Sequence, residues 1–167
     1  MPASIPTLET KRLRLRGHGL DDFAACAALW GDAGVTRFIG GRPLTAEESW
    51  AKLLRYAGHW SLLGFGFWVV EEKASGAFVG ELGFAEFKRD IAPAIDVPEA
   101  GWVLAPAAQG KGYATEALRA ALDWAGRRTA CLIHPENLAS IRVAEKCGYR
   151  ELRRTSYKGQ PAILFQR

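Results

Sequence analysis

Spacings that hold metals or disulfides are missing from this chain. Its three cysteines, Cys26, Cys131 and Cys147, form no metal-ligand or redox pattern, and the three histidines, His18, His59 and His134, are too scattered in sequence to suggest a metal site. An odd number of thiols cannot pair completely. Each lies in an apolar segment, where a free thiol behaves as a small buried hydrophobe, so reduced, structural cysteines are expected. No Ser-His-Asp arrangement can be assembled. Long apolar runs are lacking as well: the longest, Phe23 to Trp30, falls far short of the ~20 residues of a membrane span. No charged start followed by an apolar stretch and a small-residue cleavage site is readable, and a cytoplasmic protein is expected. Internal repeats and low-complexity tracts are absent.

What is present suits one globular domain over residues 1–167, with 49% apolar and 24% charged residues, a balance that excludes disorder. Charge is unevenly divided. Lys and Arg minus Asp and Glu is 8 minus 6 over residues 1–60, 5 minus 9 over 61–126 and 9 minus 3 over 127–167. The acidic middle third would weakly suit a cationic amine. The basic end could serve nucleic acid, an anionic cofactor or nothing, but Arg127, Arg128, Arg150, Arg153, Arg154 and Lys158 are interrupted by apolar residues and form no block. Without interleaved surface aromatics or a recognition helix, no nucleic-acid partner is expected. No membrane partner is expected either.

Lys11–Arg16 alternates charged and apolar residues at the period of a half-buried strand. Leu20, Phe23, Ala24 and Ala27 follow at helical spacing, then a Gly-rich connection. Thr45 and Glu48 form a capping-box pattern opening a helix whose expected apolar face is Trp50, Leu53, Leu54 and Ala57. The segments 65–70 and 78–87 read as a hairpin, and 100–105 as a strand stopped by Pro106. A long helix is announced by Ala114, Ala117, Leu118, Ala121, Leu122 and Ala125 on one face. A strand at 129–133, a helix at 137–147 closed by Gly148, and strands near 149–157 and 162–165 complete the chain. Strand and helix alternating after an antiparallel meander imply a mixed sheet with helices on both faces.

The segment Gln109-Gly110-Lys111-Gly112-Tyr113-Ala114 joins a strand to the long helix. A helix start offers unpaired N–H groups and the positive end of the dipole, and glycines let an anion reach the backbone, so a phosphate or pyrophosphate cradle is expected unless this is only a turn. A dinucleotide fingerprint would need glycine where Thr115 stands. The nucleoside-triphosphate loop would need Ser or Thr directly after Gly-Lys, and Gly112 stands there.

The spacing Gln109, Gly112, Ala114 resembles the pyrophosphate loop of the GCN5-related N-acetyltransferases (GNAT superfamily). The segments Glu99–Leu104 and Gly110–Ala117, the opening Glu9–Arg16, Asn137–Ile141 and Glu145–Tyr149 resemble its ribosomal-protein N-acetyltransferase (RimJ/RimL-like) branch. The resemblance runs from Thr10 to the final hairpin.

It implies an α/β (α+β) GNAT fold, a mixed, mostly antiparallel sheet splayed at two parallel strands. It also implies an acetyl-CoA-dependent transfer to an amine, without a metal. The pantetheine arm would pair with free backbone groups of Val103, Leu104 and Ala105, as in strand addition. The pyrophosphate would take the N–H groups of Gly110, Lys111, Gly112, Tyr113, Ala114 and Thr115, with Gln109 heading the loop, while Asn137 and Ser140 would reach the cofactor's arm. Glu99 resembles the family's proton acceptor and would be tuned by partial burial among Trp102, Phe84 and Phe87. Glu81 and Glu86 compete with it, or Glu99 is a solvated strand-end carboxylate. A backbone N–H near Val103 would steady the oxyanion. Ala144 stands where many members carry a thiolate-protonating tyrosine, so Ser140 inherits that candidacy or is a cofactor contact only. His134 ends its strand near the wedge, where it would be structural or solvated unless it touches substrate. The acceptor would be a protein N-terminus or a small-molecule amine. A silent acyl-CoA-binding module is the rival of a different class.

Overall fold

The computed structural model describes residues 4–167. The chain opens with β1 (Leu8–Glu9) and β2 (Leu13–Arg16), a 3-10 turn at Leu20–Asp22, α1 (Phe23–Trp30), a short α2 (Ala33–Thr36) and α3 (Ala46–Leu63). Then come β3 (Phe67–Glu72), β4 (Phe78–Ala85), β5 (Glu99–Leu104), a 3-10 turn at Pro106–Ala108, α4 (Tyr113–Ala125), β6 (Ala130–Ile133), α5 (Leu138–Lys146), β7 (Arg150–Tyr157) and β8 (Gln160–Gln166). All eight strands form one sheet in the order β1-β2-β3-β4-β5-β6-β8-β7. Every neighbouring pair is antiparallel except β5 with β6. The sheet is mixed and mostly antiparallel, with helices against it, as expected.

Local chemistry sets the element ends. Thr45 caps α3 by accepting from Glu48 N–H while the Glu48 carboxylate accepts from Thr45 N–H, the reciprocal pair its sequence predicts. Gly112 and Gly126 bound α4 with left-handed φ of 78° and 58°, and Gly126 N–H returns to Leu122 C=O. Lys158 and Gly159, both left-handed, turn β7 into β8, as a tight hairpin between right-twisted strands requires.

α4 buries Tyr113, Ala117, Leu118, Ala121 and Leu122, the face expected from its pattern, against Leu13, Leu15, Trp68, Leu82 and Phe84. Trp60, Trp68 and Trp124 meet edge to face there, at centroid distances of 4.8 to 5.6 Å. The opposite sheet face is covered by α1 and α3. Two expectations fail on those helices. The buried side of α1 is Cys26, Leu29 and Trp30, with Leu20 exposed ahead of it. α3 buries Ser49, Leu53, Tyr56, His59 and Trp60 and leaves Trp50 and Leu54 outside. Tyr56 and Trp60 face inward where the sheet beneath holds acceptors, a carboxylate for Tyr56 and a backbone carbonyl for Trp60, whereas the Ser49 hydroxyl is buried without a partner. The Gly-rich connection also contains α2, with Asp32 as its cap.

Two glycines separate backbone crowding from backbone freedom. A Cβ on Gly83 of β4 would lie 2.2 Å from Gly66 C=O and 2.4 Å from Phe67 Cα. On Gly58, inside α3, a Cβ would meet nothing within 4 Å. Gly83→Ala should therefore destabilise by ~1–3 kcal/mol or more, as overpacking does. Gly58→Ala should stabilise by ~0.5–1 kcal/mol, the helix-interior cost of glycine. Urea denaturation of the two variants reads both signs.

Candidate active site

The sheet opens where its one parallel pair stops. β5 and β6 meet at a single rung, Glu99 opposite Ala130, with Ala130 N–H donating to Pro98 C=O. Beyond it β5 stays paired with β4 to Leu104, and β6 turns to β8. A wedge is left between Trp102–Leu104 and the far end of β6.

Backbone direction within β5 corrects the expected partners of a bound arm. Ala105 N–H is taken by Val79 C=O on the β4 side, and Ala105 C=O accepts from Ala108 N–H. Antiparallel alternation then turns the N–H and C=O of Val103 toward β4 too, opposite Glu81. Val103 and Ala105 are thus spoken for. The backbone groups of Trp102 and Leu104 are the ones that face the wedge, with Leu104 C=O already accepting from the Gln109 side chain at 3.1 Å. Of the backbone N–H groups near Val103, those of Trp102 and Leu104 are the ones open to an oxyanion. The indole N–H of Trp102 is buried without a partner, an orphaned donor beside this strand.

At the wedge's mouth the loop 109–112 turns into α4. Gly110 and Gly112 have φ of 76° and 78°, and Gly112 caps the helix with no side-chain acceptor, so the first N–H groups of α4 stay open. Arg12 braces the loop: its guanidinium donates to Lys111 C=O at 2.9 Å and to Glu116 at 2.7 Å, and stacks 4.5 Å from the Tyr113 ring centroid. Tyr113 itself is buried, its hydroxyl donating to Glu72, so only its N–H is available to a ligand. Ala114 and Thr115 lie half-buried in the first turn. An uncapped helix start with a guanidinium beside it fits a pyrophosphate.

Across the wedge, Asn137 caps α5 by accepting from Ser140 N–H, which commits the side-chain oxygen expected to meet a cofactor and leaves only the amide NH₂. The helix starts one residue later than its spacing suggested. Ser140 is half-buried. Ala144 is fully buried in the core, closing the position of the missing tyrosine with a methyl group. His134 ends β6 and accepts from Glu136 N–H at 3.1 Å, while its ring lies 5.2 Å from that of Phe38.

The competing carboxylates differ sharply. Glu81, wholly buried, receives the Trp30 indole N–H at 2.7 Å and the Tyr56 hydroxyl at 3.0 Å on one oxygen, and His18 Nε2 lies 3.1 Å from the other. Burial pushes its pKa up, yet hydrogen bonds from His18, Cys26 and Trp30 hold it below the usual carboxylate range. His18, Cys26 and Glu81 are together the one His/Cys/acid group among the described residues with metal-ligand proximity. This cluster was hidden because its members come from a loop, α1 and β4. It is a hydrogen-bond network: the Cys26 thiol is pushed far up by burial, and the carboxylate is already saturated by donors.

Glu99 sits at the apex of the wedge, 5% exposed, with Arg89 Nε donating to its two oxygens at 2.9 and 3.0 Å. Burial raises its pKa, against the lowering effect of Arg89. Trp102 and Phe84 do not surround it. They belong to the α4 face, and alternation puts Glu99 on the other. Its neighbour is Arg89, clasped between the Phe87 and Tyr157 rings at 4.6 and 4.8 Å. No local sequence signal marks Arg89, ten residues before Glu99 in an irregular segment. Glu86 is exposed and paired with Lys88.

A family model for the acetyltransferase (GNAT) domain matches residues 12–150. The Bacillus subtilis protein YkkB, uncharacterised, is 33% identical over 109 residues, covering 62% of this chain; the match spans 62% of that relative's length. The structure of a GnaT-family acetyltransferase from Bordetella pertussis superposes with a TM-score of 0.85 at 33% identity, over 97% of this chain and 99% of its own. A spermidine N-acetyltransferase from Vibrio cholerae, solved with CoA and spermine, has a TM-score of 0.75 over 95% and 96% of the two chains. Its 19% identity makes this a likeness of fold.

Removing the charge of Glu81 tests what its network holds. Glu81→Gln should cost roughly 1–3 kcal/mol at neutral pH, because Trp30, Tyr56 and His18 lose a charged acceptor. A lowered folded pKa gives stability that is present above the unfolded value of ~4.3 and is lost as pH falls through the folded one. The gap between wild type and Glu81→Gln, followed by denaturation from pH 7 to 3, should narrow below about pH 4.

Proposed function

The chain belongs to the GNAT acetyltransferase family, and we propose that it transfers an acetyl group from acetyl-CoA to a primary amine, of a protein N-terminus or a small molecule, by direct attack in a ternary complex. The observation that carries this reading is the uncapped start of α4 at the mouth of a sheet wedge, two features that suit one extended, anionic thioester. The N–H groups of Gly110 to Thr115 would hold the pyrophosphate, with Arg12 as a cation beside them. Trp102 and Leu104 would pair with the arm in place of Val103 and Ala105. The motifs quoted above favour the ribosomal-protein branch. Cytoplasmic residence and a single domain fit the same reading.

The bound thioester supplies the electrophilic carbonyl and a thiolate leaving group; the chain supplies position and proton transfer. An α-amine with a pKa of about 8 is mostly protonated near neutrality, so a base is useful. Glu99 is better suited than Glu81: its pKa is raised, whereas Glu81 is lowered and saturated. Arg89 would then hold the Glu99 carboxylate in place and return it to the charged form after the proton leaves by water. Ser140 is the remaining candidate for protonating the thiolate, or a contact to the arm.

Gly112→Asp introduces a carboxylate into the cradle at a left-handed position aspartate can tolerate. Acetyl-CoA affinity, measured by calorimetry on the folded variant, should fall at least ~10-fold, about 1.4 kcal/mol. Unchanged affinity would remove the cradle. Glu99→Gln should lower kcat/KM by roughly two orders of magnitude with little change in CoA affinity, and recover rate at high pH where free amine is abundant. Wild-type turnover of Glu99→Gln across pH would transfer the role to water or another group.

A further inference from the structure

α3, which packs on α1 and β3, carries two cations without an anionic partner. Lys52 is half-buried, its Nζ 4.0 Å from the Trp30 ring centroid and 5.8 Å from that of Tyr56. Both aromatic residues donate to Glu81, whose cross-strand neighbour is Val103, and Trp30 packs against Val103. Lys52 therefore stands over the strand that borders the wedge. One helical turn on, Arg55 lies 5.2 Å from the Phe87 ring centroid, the same ring that Arg89 covers at 4.6 Å. Among the described residues, no carboxylate comes within ion-pair reach of Lys52 or Arg55.

The acids nearby are already used. Glu81 is enclosed by Trp30, Tyr56 and His18, Glu99 is held by Arg89, and Glu86 pairs with Lys88. Elsewhere in the acidic middle third, Glu71 pairs with Arg16 and Glu116 with Arg12, on other parts of the sheet. Asp90 and Asp96 lie exposed in the irregular stretch between β4 and β5, while the two acids buried at the sheet itself, Glu81 and Glu99, are engaged. Burial presses the Lys52 amine down to about 8, with Arg55 adding to the effect. The charge of Glu81, behind the Trp30 and Tyr56 rings, acts the other way but makes no ion pair with Lys52, and an anion brought by a ligand would complete one.

We infer that the acceptor carries a carboxylate close to its reactive amine, and that Lys52, with Arg55, receives that carboxylate on the α3 side of the wedge. This rests on the acetyltransferase reading above and narrows it to amino acids and acidic peptide N-termini. A polyamine would bring further positive charge against Lys52, Arg55 and Arg89 and is disfavoured. Lys52 and Arg55 are specificity-determining here, since they touch the part of the substrate that does not react.

The test uses the full chain with acetyl-CoA and follows free-thiol release. One arm compares the common amino acids with their C-terminal amides and with spermidine. The other compares amidated dipeptides beginning with Asp or Glu with those beginning with Asn or Gln, which separates a backbone carboxylate from a side-chain one. Carboxylate-bearing amines of one arm should exceed their neutral counterparts at least tenfold in kcat/KM. Lys52→Met should bring that ratio near parity, Lys52→Arg should retain most of it, and acetyl-CoA affinity by calorimetry should hold in both variants. Equal turnover of amides, preferential turnover of spermidine, or a ratio untouched by Lys52→Met overturns the inference and leaves acetyl transfer intact. So does acetyl-CoA binding with no turnover of any carboxylate-bearing amine. A chain that fails to bind acetyl-CoA overturns the underlying reading as well.

Discussion

The parting of β5 from β6 after one rung is the constraint on which the rest of this molecule turns. Two parallel strands joined only at Glu99 and Ala130 leave the following backbone groups of β5 without a sheet partner on that side. Unpaired groups beside a hydrophobic core are costly unless something satisfies them. The same divergence carries the chain through a tight turn into α4, so the open strand edge and the open helix start lie at one mouth. An extended ligand with an anionic group can answer both at once. The residues bracing the mouth are accordingly distant in sequence: Arg12 from β2's approach, Gln109 from the loop and Glu116 from α4.

On the other side of the sheet, two buried carboxylates show how environment assigns chemistry to identical groups. Glu81 and Glu99 share a sheet face, one opposite Val103 and the other opposite Ala85. Glu81 is wrapped by neutral and ionisable donors that favour its charged form, which makes it a structural anchor for α1 and α3. Glu99 has one guanidinium for company and burial dominates, leaving it more basic. A carboxylate with donors on both oxygens is held in place; a pair with one partner can exchange a proton. The anchor also explains why Trp30 of α1 and Tyr56 of α3 face inward, since they must reach the carboxylate for its burial to be tolerated.

Much of this was legible in residues 1–167 because the deciding forces were local. The alternation around Leu13 and Leu15, the capping pair Thr45 and Glu48, the α4 face from Ala117 to Leu122, and the glycines at 110, 112 and 126 act over a few residues of chain. Periodicity, capping and left-handed φ are short-range properties, so the main elements and the uncapped start of α4 followed from them. The inward faces of α1 and α3 were less legible, because their burial answers to acceptors on a sheet that is not yet there in the sequence.

The tertiary structure alone decided which backbone groups face the wedge and which acids keep their basicity. Alternation along β5 is strict, but its phase is set by Ala105 bonding to Val79, and a one-residue change would exchange Trp102 and Leu104 for Val103 and Ala105. Arg89 reaches Glu99 from an irregular segment, and His18, Trp30 and Tyr56 reach Glu81 from three separate elements. Asn137 turned out to cap its own helix, a bond that a spacing pattern cannot distinguish from a free side chain. Lys52 became an unpaired cation only because the neighbouring carboxylates were consumed elsewhere. The sequence by itself determined the main elements, their order and the glycines that open α4. The charge around the site, and the direction of each group within it, came from contacts between residues far apart in the chain, since Coulomb and hydrogen-bond energies depend on distance in space and not on separation in sequence.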